Sequence, residues 1–194
     1  MKKLFFFGDS ICFGHMVSPH KNWCSMISKH YENEYIVNNH SINGNTTRDA
    51  LNRITHCIES HKPEVVYVQF GLNDSNFWKT DSGNPRILVE SFRQNLIEII
   101  DRLQNIAKVK KIILGTNHLP TKEIDFLPKN TYKNNVAIYN RVIKDVAHQK
   151  KVLLIDHEQG CQNQGHQILL EDGVHLNEFG HHVYFKNFIR QGIE

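Results

Sequence analysis

The amino-acid sequence predicts an α/β fold: three layers, with helices on both faces of a mostly parallel sheet. Two observations predict it. Five short apolar runs recur along the chain, and amphipathic stretches with helical spacing lie between them. That alternation is how a doubly covered parallel sheet is written in sequence. The runs are Leu4–Phe7, Tyr35–Val37, Val65–Phe70, Ile112–Leu114 and Val152–Ile155. Each is short, mostly β-branched or aromatic, and nearly continuous rather than alternating, as strands buried on both faces are.

The first run follows Met1-Lys2-Lys3, which begins like a secretory leader. The apolar stretch stops after four residues at Gly8-Asp9, short of the ~7–15 residues a leader needs. It therefore reads as a buried strand, and a cytoplasmic address is expected. Trp23, Met26, Ile27 and Tyr31 mark the first helix. Leu51, Ile54 and Ile58 mark the next, behind Thr46 and Thr47 as N-caps. The longest helical stretch runs from Ile87 to Ile106, with Leu88, Phe92, Leu96, Ile99, Ile100 and Leu103 on one face. A further helix is expected over about 134–148, with Ile138, Val142 and Val146 aligned, and a last one over about 178–189.

Length and composition narrow the function classes. A chain of 194 residues is expected to form one domain over 1–194. A hydrophobic fraction of 40% and a charged fraction of 22% are ordinary for a soluble globular protein. The net charge of +3 is modest, and no dense Lys/Arg stripe is interleaved with aromatics, so no nucleic-acid partner is expected. No stretch approaches the ~20 apolar residues of a membrane span. Cys12, Cys24, Cys57 and Cys161 form no C-x-x-C pair and are expected to be free thiols. The sequence leaves the oligomeric state open.

In parallel α/β sheets, ligands bind outside the carboxyl ends of the strands. The residues after each run are therefore the place to look for chemistry. After the first comes Gly8-Asp9-Ser10-Ile11, which reads as a nucleophilic serine or as a plain turn and cap. The G-x-S-x-G elbow of α/β-hydrolases is absent. After the second comes Asn43-Gly44-Asn45-Thr46-Thr47, either an anion-binding backbone or a loop with a cap. After the third comes Gly71-Leu72-Asn73-Asp74, where the asparagine amide is an oxyanion donor or an Asx-turn. Near the C-terminus lies Asp172-Gly173-Val174-His175-Leu176-Asn177. An Asp three residues before a His can fix the imidazole tautomer; a surface loop or half a metal site are the other readings. No second His/Asp cluster has metal-binding spacing, so no metal is expected. Together these pieces supply nucleophile, base, orienter and oxyanion donors, the set that acyl transfer requires.

All four blocks, in this order, resemble the SGNH hydrolases, also called GDSL-type esterases and lipases. Ile11 stands where the family name has Leu. The resemblance implies a flavodoxin-like α/β/α sandwich of about five parallel strands. It implies Ser10 as nucleophile, His175 as base and Asp172 as its orienter. It implies an oxyanion hole of the Ser10 and Gly44 backbone N–H groups with the Asn73 side chain. It implies a small-molecule ester substrate and no metal or organic cofactor. Phe77 and Trp78 either line a substrate wall or pack against the long helix. No long apolar tunnel is suggested, which favours a short acyl group such as acetyl, carried by a sugar. The alternatives are a lysophospholipase or thioesterase, an acyltransferase using the same acyl-enzyme, and a non-catalytic flavodoxin-like binding module.

Overall fold

The computed structural model describes residues 1–193, with Ser82 described by its backbone alone; Glu194, the last residue of the expected domain, lies outside the described residues. Each of the five apolar runs forms a strand: β1 (Lys2–Gly8), β2 (Tyr35–Asn39), β3 (Val65–Gln69), β6 (Lys111–Gly115) and β7 (Leu153–Ile155). They make one parallel sheet in the order β2-β1-β3-β6-β7. This is the flavodoxin-like order, whose switch point lies between the first and third strands of the sequence.

The continuous apolar runs are explained by two cores, one on each face. Side chains alternate across a strand. Leu4, Phe6, Val65, Tyr67 and Ile113 enter the core shared with α2 (Trp23–His30) and α7 (Glu178–Gln191). Phe5, Phe7, Val66, Val68, Ile112 and Leu114 enter the opposite core. There they meet α3 (Thr47–Ile54), α4 (Val89–Asn105) and α5 (Thr131–Lys150). Both alternating sets must be apolar, so the strand reads as unbroken.

Helix starts follow local chemistry. Thr46 caps α3 in a reciprocal box with Asp49, and Asn177 caps α7 by accepting from Gly180 N. Three details depart from the sequence pattern. Ile58 is buried, but it lies in a wider π-type turn, Thr55–Glu59, that continues α3. Leu88 precedes α4 as its cap and is exposed. Ile138 is also exposed, because the buried stripe of α5 runs through Tyr139, Val142, Ile143 and Val146.

One element has no counterpart in the apolar pattern. Between β3 and α4, β4 (Phe77–Trp78) and β5 (Asp81–Pro85) form an antiparallel hairpin. Cys12, Cys24 and Cys161 are buried free thiols and Cys57 is a half-buried one. Among the described residues, no helix is long and apolar enough to cross a membrane.

Candidate active site

Ser10 opens α1 (Ser10–Phe13), a single turn that starts directly at the tip of β1. Asp9 caps this turn by accepting from Ile11 N at 3.0 Å. The cap places Ser10 at the carboxyl edge of the sheet, beside the switch point.

From the other end of the chain, the loop before α7 brings in His175. Its Nε2 lies 2.9 Å from Ser10 Oγ, and its Nδ1 lies 2.5 Å from Asp172 Oδ2. The second Asp172 oxygen accepts from the backbone N–H groups of Val174 and His175, both at 2.9 Å. Partial burial pushes the Asp172 carboxyl up. The donors from the His175 ring and from the His175 and Val174 backbone outweigh it and hold it down at about 2. Asp172 is therefore a carboxylate near neutral pH and accepts a hydrogen bond from His175 Nδ1–H. Nε2 is left as the acceptor that faces the serine hydroxyl.

The loop is braced from below. Gly173 has φ +68, and its carbonyl accepts from Thr121 N and Lys122 N at 2.8 and 3.2 Å. His118, fully buried, bridges Tyr184 Oη at 2.8 Å through Nδ1 and the Val174 carbonyl at 2.7 Å through Nε2. A carbonyl can only accept, so Nε2 carries the hydrogen and Nδ1 accepts from the tyrosine hydroxyl. Burial keeps this ring neutral, lowering it to about 4 against the pull of the Val174 carbonyl. A second ring, His15, packs on His175 with centroids 4.6 Å apart and pairs through Nδ1 with Asn43 Nδ2 at 3.1 Å.

The second and third blocks meet on the other side of Ser10. Gly44 has φ +77, a left-handed conformation natural to glycine. Asn73 donates from Nδ2 to the Asn45 carbonyl at 3.1 Å, and its other amide hydrogen faces Asp9 Oδ2 at 3.5 Å, the outer limit of a hydrogen bond. Asp74 accepts at Oδ1 from Thr47 N and Thr47 Oγ1, at 2.9 and 2.5 Å, and so ties this block to the start of α3. Burial pushes Asp9 up to about 7 and Asp74 up to about 6.

The four blocks thus converge, with Ser10, Asp172 and His175 in one hydrogen-bonded line and Gly44 and Asn73 beside it. The profile of the GDSL-like lipase/acylhydrolase family matches residues 6–183. The chain belongs to that family. Among relatives, it is 25% identical over 194 residues to an uncharacterized lipoprotein, YqeF, of Bacillus subtilis, covering 90% of this chain and 78% of that one. It is 26% identical over 164 residues to an acetylxylan esterase of Geobacillus stearothermophilus, covering 80% and 71%. The crystal structure of the lipase/acylhydrolase from Enterococcus faecalis superposes with a TM-score of 0.81 at 24% identity, over 98% of this chain and 95% of that one. That likeness shows the same fold. As a GDSL-like acylhydrolase, this chain is a serine ester hydrolase by class.

Phe77 and Trp78 belong to the hairpin. Phe77 lines a cavity of about 480 Å³ with Asn76, Lys122 and Phe126. Trp78 is 56% exposed and lies under the Arg86 guanidinium at 4.5 Å. A larger cavity of about 680 Å³ opens beside His118, Thr121 and Lys144, and is lined by neither Ser10 nor His175. Sequence reasoning did not single out Arg86, His15 or His118. For His118 a signal was present, since it lies just past the tip of β6.

Proposed function

We propose that Ser10 is the nucleophile, His175 the general base and Asp172 its orienter, in hydrolysis of a carboxylic ester by way of an acyl-enzyme. The observation that carries this reading is the line from Ser10 Oγ to His175 Nε2 at 2.9 Å and from His175 Nδ1 to Asp172 Oδ2 at 2.5 Å. His175 takes the hydroxyl proton as Oγ attacks the ester carbon. The carbonyl π pair moves onto oxygen, and that oxyanion is received by the backbone N–H groups of Ser10 and Gly44 and by the Asn73 amide. For this, Asn73 exchanges its long contact with Asp9 for the oxyanion. The tetrahedral species then collapses, and His175 hands its proton to the departing alkoxide. Water then attacks the acyl carbon as it loses a proton to His175; the bond from the acyl carbon to Ser10 Oγ breaks, the carboxylic acid leaves, and His175 returns the proton to Oγ.

The polar groups around the site favour a short acyl group such as acetyl: Asn43 pairs with His15, which packs on His175, and Asn73 is held by Asn45 and Arg86. The relative named as an acetylxylan esterase supports a sugar as its carrier. One observation favours a second reading, a lysophospholipase or thioesterase. Phe13, Met16 and Ile42, near Ser10 and Gly44 in sequence, are 51%, 72% and 46% exposed, and would suit a longer chain.

Hydrolysis of p-nitrophenyl acetate by wild type and Ser10→Ala tests the nucleophile: wild-type turnover in the variant would refute it. A p-nitrophenyl ester series from C2 to C16 separates the two substrate readings. A maximum at C2–C4 supports the short acyl group, and one at C10 or beyond supports the second reading.

A further inference from the structure

We propose that Arg86 is a positioning residue for the oxyanion hole, a guanidinium fork that holds the Gly44 loop and the Asn73 amide in one arrangement. The inference rests on reading Gly44 and Asn73 as oxyanion donors. Arg86 donates from Nη1 to Asn73 Oδ1 at 3.3 Å and from Nη2 to the Gly44 carbonyl at 3.2 Å. It is therefore one cation bound to both elements. The planar group lies over the Trp78 ring, 4.5 Å from its centroid, and the Arg86 backbone N–H is fixed to the Asn76 carbonyl at 2.7 Å.

The geometry has a chemical consequence. An asparagine side chain can present either its oxygen or its nitrogen to the reacting carbonyl. A guanidinium has donors and no acceptor, so the atom of Asn73 that faces Arg86 is oxygen. The nitrogen is then turned away, toward the Asn45 carbonyl and Asp9. Loss of Arg86 removes this lock on the amide and frees the Gly44 carbonyl. It also removes a positive charge next to the place where negative charge develops. Lysine keeps the charge but not the two-pronged fork. The hairpin of β4 and β5 explains how the fork arrives, because it returns the chain to Asn73 with Arg86 as the next residue after β5.

The test is steady-state hydrolysis of p-nitrophenyl acetate by Arg86→Ala, Arg86→Lys, Asn73→Ala and the Arg86→Ala/Asn73→Ala double variant, with thermal unfolding of each. An oxyanion donor contributes ~10²–10³ in kcat, and loosening one without deleting it is expected to cost about 10–100-fold. Arg86→Ala should lose that much kcat with KM within about threefold of wild type. Arg86→Lys should remain below a third of wild-type kcat. Millimolar guanidinium ion should restore part of the Arg86→Ala loss. The double variant should lose clearly less than the product of the two single losses, because part of the fork's effect acts through the amide. Wild-type kcat in Arg86→Ala or Arg86→Lys, a change confined to KM, or losses that multiply would overturn the proposal. Unchanged kcat in Asn73→Ala sinks the oxyanion reading itself. A slow Asn73→Ala beside a normal Arg86→Ala sinks only the role given to Arg86.

Discussion

The buried titratable groups on balance make stability fall in mild acid. His118, His157 and His181 are fully buried, and burial lowers them from 6.5 to about 4, about 3 and about 4. A histidine lowered in the folded state contributes stability above its ordinary value and loses it as pH falls toward the folded one. At pH ~5.5 the unfolded chain holds nearly three protons on these rings and the native chain almost none. Asp9 and Asp74 work the other way. Burial raises them to about 7 and about 6, so the native state binds their protons first and gains stability as pH falls through those values. At pH ~5.5 they hold nearly two protons that the unfolded chain releases. Over these five groups unfolding takes up protons on balance, and stability should fall by on the order of 1 kcal/mol per unit of pH between 6 and 5.

Asp74→Asn isolates the compensation. Its Oδ1 keeps both contacts from Thr47, while Oδ2 has no partner to lose. Without that proton the net uptake nearly doubles, and the slope should steepen to about 2 kcal/mol per unit. Urea unfolding at pH 5.0, 5.5 and 6.0, followed through the buried Trp23, measures both slopes. Equal slopes in the two proteins, or stability that rises as pH falls, would refute the reasoning.

Three further outcomes are expected. Asp172→Asn keeps the shape of the line to His175 but removes the carboxylate that fixes the tautomer, and should lower kcat toward p-nitrophenyl acetate by ~10³–10⁴-fold with little change in KM. Gly173→Ala combines a strained φ of +68 with a Cβ 2.8 Å from Lys122 N and 2.9 Å from Thr121 Oγ1. It should shift the His175 loop and cost at least about tenfold in kcat, read in the same assay. Ile99→Ala empties a fully buried site in the core under α4 and should cost about 2–5 kcal/mol in urea unfolding, with activity unchanged below the transition.

What was legible in the sequence follows from where the information sits. The strands were legible because both faces of each are buried, so Leu4–Phe7 or Val65–Phe70 must be apolar without a break. Ser10, Gly44, Asn73 and the Asp172–His175 loop were legible because each lies beside a strand tip or carries a spacing with its own chemistry. The hairpin was not, because Asp81-Ser82-Gly83-Asn84-Pro85 has the composition of a turn, although its backbone pairs with Phe77 and Trp78. Arg86 was hidden for a related reason. Its partners stand 13 and 42 residues away, and nothing local separates it from any surface arginine. His118 meets Val174 across 56 residues, and its meaning depends on Tyr184 closing over its other nitrogen. Local pattern exposes residues whose role is set by their own strand tip; it conceals residues whose role is to hold another segment still.

The buried acids and the half-buried Arg86 make one electrostatic arrangement. Asp9 is needed where it is, since it caps the turn that presents Ser10. Yet its second oxygen lies 3.5 Å from the nitrogen of Asn73. Like charges ~6 Å apart, the separation with the amide between them, repel by roughly 3 kcal/mol at an effective dielectric constant of ~20. That is close to what a single oxyanion donor supplies, roughly 3–4 kcal/mol. On the proposed role of Asn73, a permanent carboxylate behind the amide would offset most of the benefit of the amide. Burial resolves the conflict, helped by the neighbouring charge of Asp74, by raising Asp9 to about 7, where it holds its proton for much of the time near neutrality. On the far side of the same amide, Arg86 adds a positive charge on the Asn73 oxygen. Desolvation of an acid and a fork of donors thus push the local field in the same direction, toward a place where negative charge can rest.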